Sequence, residues 1–536
     1  MKKSNLLQKM KGQPLLLIFF LLLHTAASFY YISQQNITYD EPGYIEYAKR
    51  WLQGHPERIL PLDDSKSPVI AICWVPRVVR QVINPHYKLT DYGRKDQAEG
   101  RYMMILFSFL TAFYVYCWCK DLYGVKIVWW PLLLLLFDPL YLAYSTLITT
   151  DLACGAFLVA MLYHFRKYLL SGKAKQLCIA ALYTGIAIVT KQTLVFVFIL
   201  LPVISAAYWW SLNRTKTIVN VNALKDALVF CFIVLFVINA AYYFHHSFMP
   251  FGSYVFQSQS FIHLQSALSF LDRIPVPLPE AYMQSLDMLK AHAEYGAGRL
   301  DSTYNGVYLF GDLKLNGGYW YYYIVMLFYK MPLGTLFLLL LSVELFIKQF
   351  NKESFCSSYS FLVLPIFFFL AILSFFNNFQ IGIRHLLLIF PLIYIGFGKL
   401  FFYVVNKKVR HGYVAVVAAC CSLLALFFYY PYIIPYTNAF AGSKKKVYTK
   451  MMDSGIDYGQ SDSSVNGFIA SHPGYKQQSA VPATGKYAIP MAHVVSTILW
   501  DKNPYKWYQK IEPTGLYRNV VLLYDINEED LRKAGF

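Results

Sequence analysis

Eleven times along its 536 residues the chain carries a run of mostly apolar residues near the length, about 18, that crosses a hydrocarbon core of about 30 Å. The runs are Pro14 to Ile32, Tyr102 to Cys119, Val125 to Tyr144, Leu147 to Phe165, Leu177 to Val189 (a short one) and Leu194 to Trp210. They continue with Ala227 to Phe244, Trp320 to Ile347, Tyr359 to Phe376, His385 to Val405 and Tyr413 to Tyr430. Composition agrees: 57% of the residues are hydrophobic and 15% charged, against about 25% charged in an average soluble protein. The expected fold class is an all-α polytopic membrane protein of about 11 transmembrane helices with a small α/β C-terminal domain.

A formal net charge of +18 would suit a nucleic-acid binder if it were not sorted by the apolar runs. With "MKKSNLLQKMKG" placed in the cytoplasm, the even-numbered gaps fall on the same side. These segments together hold 18 Lys and Arg against three acids, Asp121, Asp226 and Glu353. Cytoplasmic loops carry an excess of Lys and Arg, so the N-terminus is expected inside and the C-terminus outside. The bilayer, and no nucleic acid, is the expected partner. The first run ends in "HTAAS", which mimics a signal-peptidase site, but its apolar part continues through "FYYI" and reads as a retained helix.

That topology divides the chain into a membrane module, residues 1–430, with outer loops 33–101 and 246–319, and an outer soluble domain, residues 431–536. The C-terminal domain has strand candidates in "GKYAIPMAHVVST" and "RNVVLLYDI" and a short final helix in "NEEDLRKAGF". In the first outer loop Val69, Ile70, Ile72, Cys73, Val75, Pro76 and Val79 recur at helical spacing, which suits a helix at the membrane interface. Trp320 to Ile347 is interrupted by Lys330 and Pro332. Either an interfacial aromatic leg precedes a crossing that starts near Pro332, the preferred reading, or a kinked helix turns Lys330 inward. Of nine cysteines only Cys73 lies in an outer segment, so no disulfide is expected among those segments.

The charges near the outer surface form a short set: Asp40, Glu41, Arg101, Asp138, Asp151, Lys191, Lys330 and Arg384. Charge at such depth is costly unless paired or used. Each has a plain alternative: Asp151 as a first-turn acid favoured by the helix dipole, Lys191 and Arg384 as snorkelling cations, Asp40 and Glu41 as solvated loop acids, Asp138 as a boundary residue. The lone histidines, His245 and His246 included, show no metal-ligand spacing, and no metal or cofactor is assigned. Taken together, a carboxylate base and several cations at one interface suit attack on a lipid-linked phosphate.

In order along the chain, "YDEPGYIEYA", "GRYMMILFSFLTAFYVYCWCKDLYG", "FDPLYLAYSTLITTDLACGAFLVAMLYHF", "GIAIVTKQTLVFVFILLP", "IRHLLLIFPLIYIGFGKL" and "MMDSGIDYGQS" resemble the polyprenyl-phosphate-sugar glycosyltransferases of the GT-C class. That superfamily includes protein O-mannosyltransferases and the lipid A aminoarabinose transferase. The resemblance implies an inverting transfer of a monosaccharide from undecaprenyl or dolichyl phosphate to a hydroxyl of a protein, glycolipid or polysaccharide, with no nucleotide sugar used. It implies a bacterial plasma membrane or, as the alternative, the endoplasmic reticulum. Residue by residue, Asp40 matches the catalytic acid, with Glu41 its neighbour, Asp151 the second acid, and Arg101 the basic residue opening the second span. Lys191, Lys330 and Arg384 are the further candidates to approach the donor phosphate. Tyr44, Asp453, Asp457 and Gln460 are candidate acceptor or sugar contacts, although "DSGIDYGQS" reads equally as a structural turn. Where the family often has His-Pro-Pro in the first loop, this chain has "SKSPVI", with Ser67 and Pro68, which bears on acceptor recognition. A lipid-sugar flippase or other transporter is the competing class; it would show internal repeats, and none is evident. A silent scaffold with a binding tail is a third.

Overall fold

The computed structural model describes residues 2–59, 62–63, 65–87, 94–212, 222–295, 306–315, 317–407, 411–496 and 502–536, without the side chains of residues 2–14, 94–96, 211, 212, 406, 407, 411 and 453. Among the described residues, six helices are long and apolar enough to cross a membrane: Leu15–Gln34, Gln97–Tyr123, Gln192–Trp210, Ala223–Ala241, Lys352–Phe375 and Ile383–Val405. A seventh crossing arises if the bent pair Tyr322–Lys330 and Leu333–Lys348 counts as one. Lipid-facing surface is visible on Ala223–Ala241, where Leu224, Leu228, Phe232 and Phe236, one turn apart, are all exposed.

Among the described residues these six or seven helices do not confirm the expected eleven spans, and several of the expected runs are broken or short for physical reasons. The run Val125 to Tyr144 breaks into Trp129–Leu136 and Pro139–Tyr144. Pro139 has no N–H to continue a helix, and the Asp138 carboxylate caps the second piece, accepting from the Leu140 and Tyr141 amides at 2.9 and 3.1 Å. The Tyr394 hydroxyl donates to its other oxygen at 2.6 Å. Asp138 is therefore a buried cap rather than a boundary charge. The run from Leu147 becomes helical only at Asp151, as Asp151–Ser171, and Ala174–Thr190 and Gly412–Phe427 are short apolar helices.

Asp151–Ser171 is buried along nearly its whole length, packing against Arg94–Tyr123 and Ala174–Thr190. Gly155 permits a close approach to a third neighbour: a Cβ there would lie 3.2 Å from both the Leu387 carbonyl and the Leu388 Cα. The bend between Tyr322–Lys330 and Leu333–Lys348 is 118°, so the aromatic half is a separate leg, as preferred. Lys330 nonetheless turns inward and is fully buried, so the two alternatives hold at once.

Downstream of the bundle a four-stranded sheet has the order Tyr475–Lys476, Gly485–Pro490, Val521–Ile526, Gly515–Tyr517, its first pair parallel and the others antiparallel. Alternation sorts its faces. Tyr487, Ile489, Leu522 and Tyr524 join the main core, while Ala488 and Val521 pack with Val465 and Phe468 of the helix Gln460–Ser471. The candidate strand "GKYAIPMAHVVST" stops at Pro490, which cannot donate to a ladder, and turns into the helix Met491–Val495. The strand in "RNVVLLYDI" starts only at Val521 because Arg518 and Asn519 are left-handed, with φ of 50° and 62°. The last helix, Glu528–Lys533, is closed by a capping box between Asn527 and Asp530.

Candidate active site

Four separate stretches of chain converge at one end of the bundle on a cavity of about 1100 Å³. Asp40 arrives as the N-cap residue of the helix Glu41–Leu52, with Pro42 in its first turn, where a missing N–H costs nothing. Asp151 opens its helix, and Lys191 follows the end of Ala174–Thr190 in extended conformation. Arg384 sits on the 3₁₀ segment Ile383–Ile389, entered through Gly382 at φ 84°. There a Cβ would meet the Gly455 nitrogen at 2.8 Å, so glycine lets this turn press against the loop before Tyr458.

The charges interlock. Arg384 Nη1 and the Tyr458 hydroxyl both donate to Asp40 Oδ2, each at 2.5 Å, and Arg384 also contacts the Tyr458 hydroxyl. Lys191 Nζ donates to Asp151 Oδ1 at 2.5 Å, and Arg384 Nη1 lies 3.9 Å from Asp151 Oδ2. Lys66 lies over the Tyr44 ring, its Nζ 4.4 Å from the centroid, and its charge acts on Asp40. Burial opposes ionisation of Asp40, but the Arg384 guanidinium, the Lys66 ammonium and the Tyr458 hydroxyl outweigh it and hold the carboxyl well below the usual carboxylate range. Asp40 lies deep in the protein yet keeps 30% of its side chain open to the cavity. Burial pushes the Tyr458 hydroxyl well above its ordinary pKa, so it stays a donor. Two buried donors on the cavity wall, Arg384 Nε and Gln192 Nε2, have no protein acceptor, a costly state that a bound acceptor group would relieve.

Of the residues expected from the sequence, Asp40, Asp151, Lys191, Arg384, Tyr44 and Asp457 line this cavity. Glu41 and Arg101 do not. Glu41, wholly buried, accepts from Arg101 Nε and Nη2 at 2.8 and 2.6 Å, from Gln97 at 2.8 Å, from the Thr38 amide and hydroxyl, and from the Ile148 amide. Burial raises its pKa, but the Arg101 charge and these donors more than offset that and keep it lowered. The pair staples the loop behind Asp40 to two helices, and neither member lines the cavity. Lys330 Nζ donates to the Ile434 and Gly455 carbonyls at 2.9 and 2.5 Å, again away from the lining.

Gln460 is structural as well: its side chain accepts from the Tyr458 amide at 2.6 Å and donates to the Ile456 carbonyl at 3.0 Å. The Asp453 side chain lies outside the described residues. Tyr44 and Tyr47, on the helix Glu41–Leu52, are buried at 4% and 0% exposure. Asp457 is held by the Ser461 hydroxyl at 2.6 Å, and burial raises its pKa.

Three lining residues escaped the sequence reading. Lys66 stood beside Ser67 and Pro68 in the divergent "SKSPVI". It fits because Gly43 leaves room: a Cβ there would lie 3.0 Å from Lys66 Cε. Tyr458 lay within "DSGIDYGQS", directly after the second of its acids, and the Tyr39 amide donates to its carbonyl at 2.9 Å, pinning it beside Asp40. Gln192, next to Lys191, gave no signal. Among the described residues no three His, Cys, Asp or Glu side chains come together as a metal site.

No curated protein matches the chain in sequence. Among solved structures it is similar to ArnT from Cupriavidus metallidurans bound to undecaprenyl phosphate, at 12% identity and a TM-score of 0.47 over 94% of this chain and 97% of that one. It is also similar to the archaeal oligosaccharyltransferase AglB from Archaeoglobus fulgidus in complex with an inhibitory peptide and a dolichol-phosphate, at 15% identity and a TM-score of 0.44, over 78% of this chain and 55% of that one. The resemblance read from the sequence is borne out where a family model matches: residues 85–241, which include Arg101, Asp151 and Lys191, match the dolichyl-phosphate-mannose-protein mannosyltransferase family.

Proposed function

We propose that the chain is an inverting glycosyltransferase that moves a monosaccharide from a polyprenyl phosphate to an acceptor hydroxyl on the extracytoplasmic side of the membrane. The observation that carries this reading is one ionised carboxylate, Asp40, facing a large cavity within reach of Arg384 and Lys66, with Lys191 on Asp151 beside them. Asp40 Oδ2 is occupied by Arg384 and Tyr458, which leaves Oδ1 to take the proton of the acceptor hydroxyl. As that oxygen bonds to the anomeric carbon, the bond from this carbon to the phosphate oxygen breaks and its electron pair stays on the phosphate.

The leaving group thus gains negative charge during the step, and cations at fixed positions stabilise the transition state more than the ground state. Arg384 Nε and Gln192 Nε2, lacking protein acceptors, are suited to phosphate oxygens or sugar hydroxyls. A carboxylate held this strongly ionised is a weak base, which fits a step in which the C–O bond to phosphate is largely broken before the proton moves. The sorting of Lys and Arg along the sequence supports the sidedness.

The test is release of polyprenyl phosphate by purified chain in nanodiscs. Asp40→Asn keeps the shape and removes the base, and a loss of about 10²-fold or more in turnover is expected, with membrane level and melting temperature retained. Unchanged turnover in this variant would sink the mechanism, and transport of the intact donor across a sealed vesicle without sugar transfer would support the flippase reading in its place.

A further inference from the structure

The cavity has a second wall of different chemistry. Continuing from Tyr39 and Asp457, its lining comes from Gln478, His493 and Tyr505 of the C-terminal segment, with no Lys or Arg from that segment. The rings of His493 and Tyr505 lie nearly parallel, 21° apart, with centroids separated by 6.1 Å. Gln478 Nε2 and His493 Nδ1 are 3.0 Å apart. His493 Nε2 lies 3.6 Å from Asp462 Oδ1, whose other oxygen accepts from the Tyr39 hydroxyl at 3.2 Å. Tyr39 and its neighbour Asp40 both line the cavity, so this wall adjoins the carboxylate.

This wall is rigidly built. Asn503, 8% exposed, donates to the His493 and Val494 carbonyls at 3.0 and 3.1 Å, and its Oδ1 accepts from the Tyr505 amide at 3.0 Å. One buried amide therefore sets both ring-bearing residues. The Ala492 amide donates to Asp457 Oδ2 at 3.4 Å, which ties the same short helix to the residue before Tyr458.

Aromatic faces beside an amide, an imidazole and a carboxylate match a sugar ring, whose C–H face stacks on aromatic rings and whose adjacent hydroxyls both donate and accept. A phosphorylated lipid headgroup would call for cations, and all those on the lining lie elsewhere. An extended peptide would call for a sheet edge, and here the edge strands have two and three residues. The volume, about 1100 Å³, is just above the range of about 300–1000 Å³ for a single drug-sized ligand, leaving room for a second sugar next to a sugar phosphate.

We propose that this wall is the acceptor site for a neutral carbohydrate, so that the attacking hydroxyl belongs to a glycan and the product carries a new glycosidic bond. The assignment rests on the transfer reading above. In the step itself the glycan oxygen bonds to the anomeric carbon of the donor, its proton passes to Asp40, and the phosphate departs with the electron pair.

The experiment supplies the full-length chain with undecaprenyl phosphate carrying labelled mannose, glucose, galactose or aminoarabinose in turn, and with either short neutral oligosaccharides or Ser/Thr-containing peptides. Label is expected on an oligosaccharide. Tyr505→Ala and His493→Ala are each expected to raise the oligosaccharide KM about tenfold, equivalent to about 1.4 kcal/mol of lost contact, without raising the donor KM; Tyr505→Phe, which keeps the ring, should retain wild-type KM and shows that a loss is not misfolding. Label on the peptides, or oligosaccharide KM values unmoved by both alanine variants, would overturn the acceptor assignment while leaving sugar transfer intact. Failure to release undecaprenyl phosphate with any acceptor would overturn the transfer reading and this assignment with it.

Discussion

Replacing Arg101 by Met separates a structural ion pair from a phosphate contact. Glu41 is 0% exposed and accepts six hydrogen-bonding contacts, two of them from Arg101. Methionine fills the volume but leaves the carboxylate without its counter-charge, and breaking one partner of a buried pair costs about 3–5 kcal/mol. The carboxyl can limit that loss by taking a proton, which at pH 7 costs about 3.7 kcal/mol from an ordinary Glu pKa of about 4.3. A destabilisation of about 3–4 kcal/mol follows, about 3 °C in melting temperature for a chain of this size. The sign with pH is fixed. In the wild type the lowered Glu41 pKa contributes stability present above its unfolded value and lost as pH falls through the folded one. In the variant the Glu41 pKa is raised, so the deficit is largest at pH 7.5 and shrinks towards pH 5. Melting in detergent across that range, alongside donor KM, reads both. Combining Glu41→Gln with Arg101→Met should restore most of the stability, since the unpaired charge is gone. An Arg101→Met protein that melts normally at pH 7.5 but has a raised donor KM would refute the ion-pair account and return Arg101 to the phosphate.

Three further outcomes are expected. Asp40 is ionised far into the acid range, so wild-type kcat/KM should show no limb from it above about pH 4. Arg384→Gln removes both a charge and a hydrogen bond, raises the Asp40 pKa and should bring an acid limb into the measurable range, with Tyr458→Phe moving it less; a flat profile in Arg384→Gln would contradict the pairing. Gly382→Ala forces a residue with a Cβ to φ 84° with 2.8 Å to the Gly455 nitrogen, and at about 1–3 kcal/mol of strain both melting temperature and donor KM should worsen, because the turn that presents Arg384 shifts. Lys330→Met strands two buried carbonyls, those of Ile434 and Gly455, at about 1–3 kcal/mol each, so thermal stability should drop; a normal melting temperature with a raised donor KM would instead make Lys330 a phosphate ligand.

The regions of apolar sequence were readable, but their internal breaks were not, because a hydropathy average gives no weight to a single Asp-Pro step such as Asp138–Pro139. Charge at comparable depth was also readable, and Asp40, Asp151, Lys191 and Arg384 do meet at one cavity. Depth along a helix carries no information about direction around it, however. Arg101 and Lys330 sit at the expected depth yet point at a buried carboxylate and at two carbonyls. Glu41, adjacent to Asp40, is carried to the other side by the first turn of the helix Glu41–Leu52. Lys66 acts on Asp40 by its charge from later in the same outer loop, and Tyr458 bonds Asp40 from 418 residues further along the chain, which no local pattern encodes.

What distinguishes the cations that face the cavity is the kind of partner each already has. Lys330 spends its donors on fixed backbone carbonyls, and Arg101 on a carboxylate that has no other exit, so an incoming phosphate has nothing to displace. Arg384 and Lys191 are paired with Asp40 and Asp151, which themselves line the cavity, and Lys66 stands over a ring. In the cluster around Asp40, the three cations Lys66, Lys191 and Arg384 stand against the two carboxylates Asp40 and Asp151, apart from Arg50, Glu46, Asp63 and Asp457 elsewhere on the lining, and in the proposed transfer a polyprenyl phosphodiester brings one negative charge to the one formal positive charge of that cluster. When the sugar leaves, the phosphate acquires a second negative charge while Asp40 loses its own by taking the acceptor proton. In the proposed transfer the formal charge of the closed site is therefore the same before and after the step, and the negative charge moves from Asp40 to the phosphate between cations that already touch or flank both. Moving charge between sites held by the same guanidinium and ammonium groups avoids the reorganisation that water would require, which gives a physical reason for Arg384 to bind Asp40 in the resting enzyme even though doing so weakens Asp40 as a base.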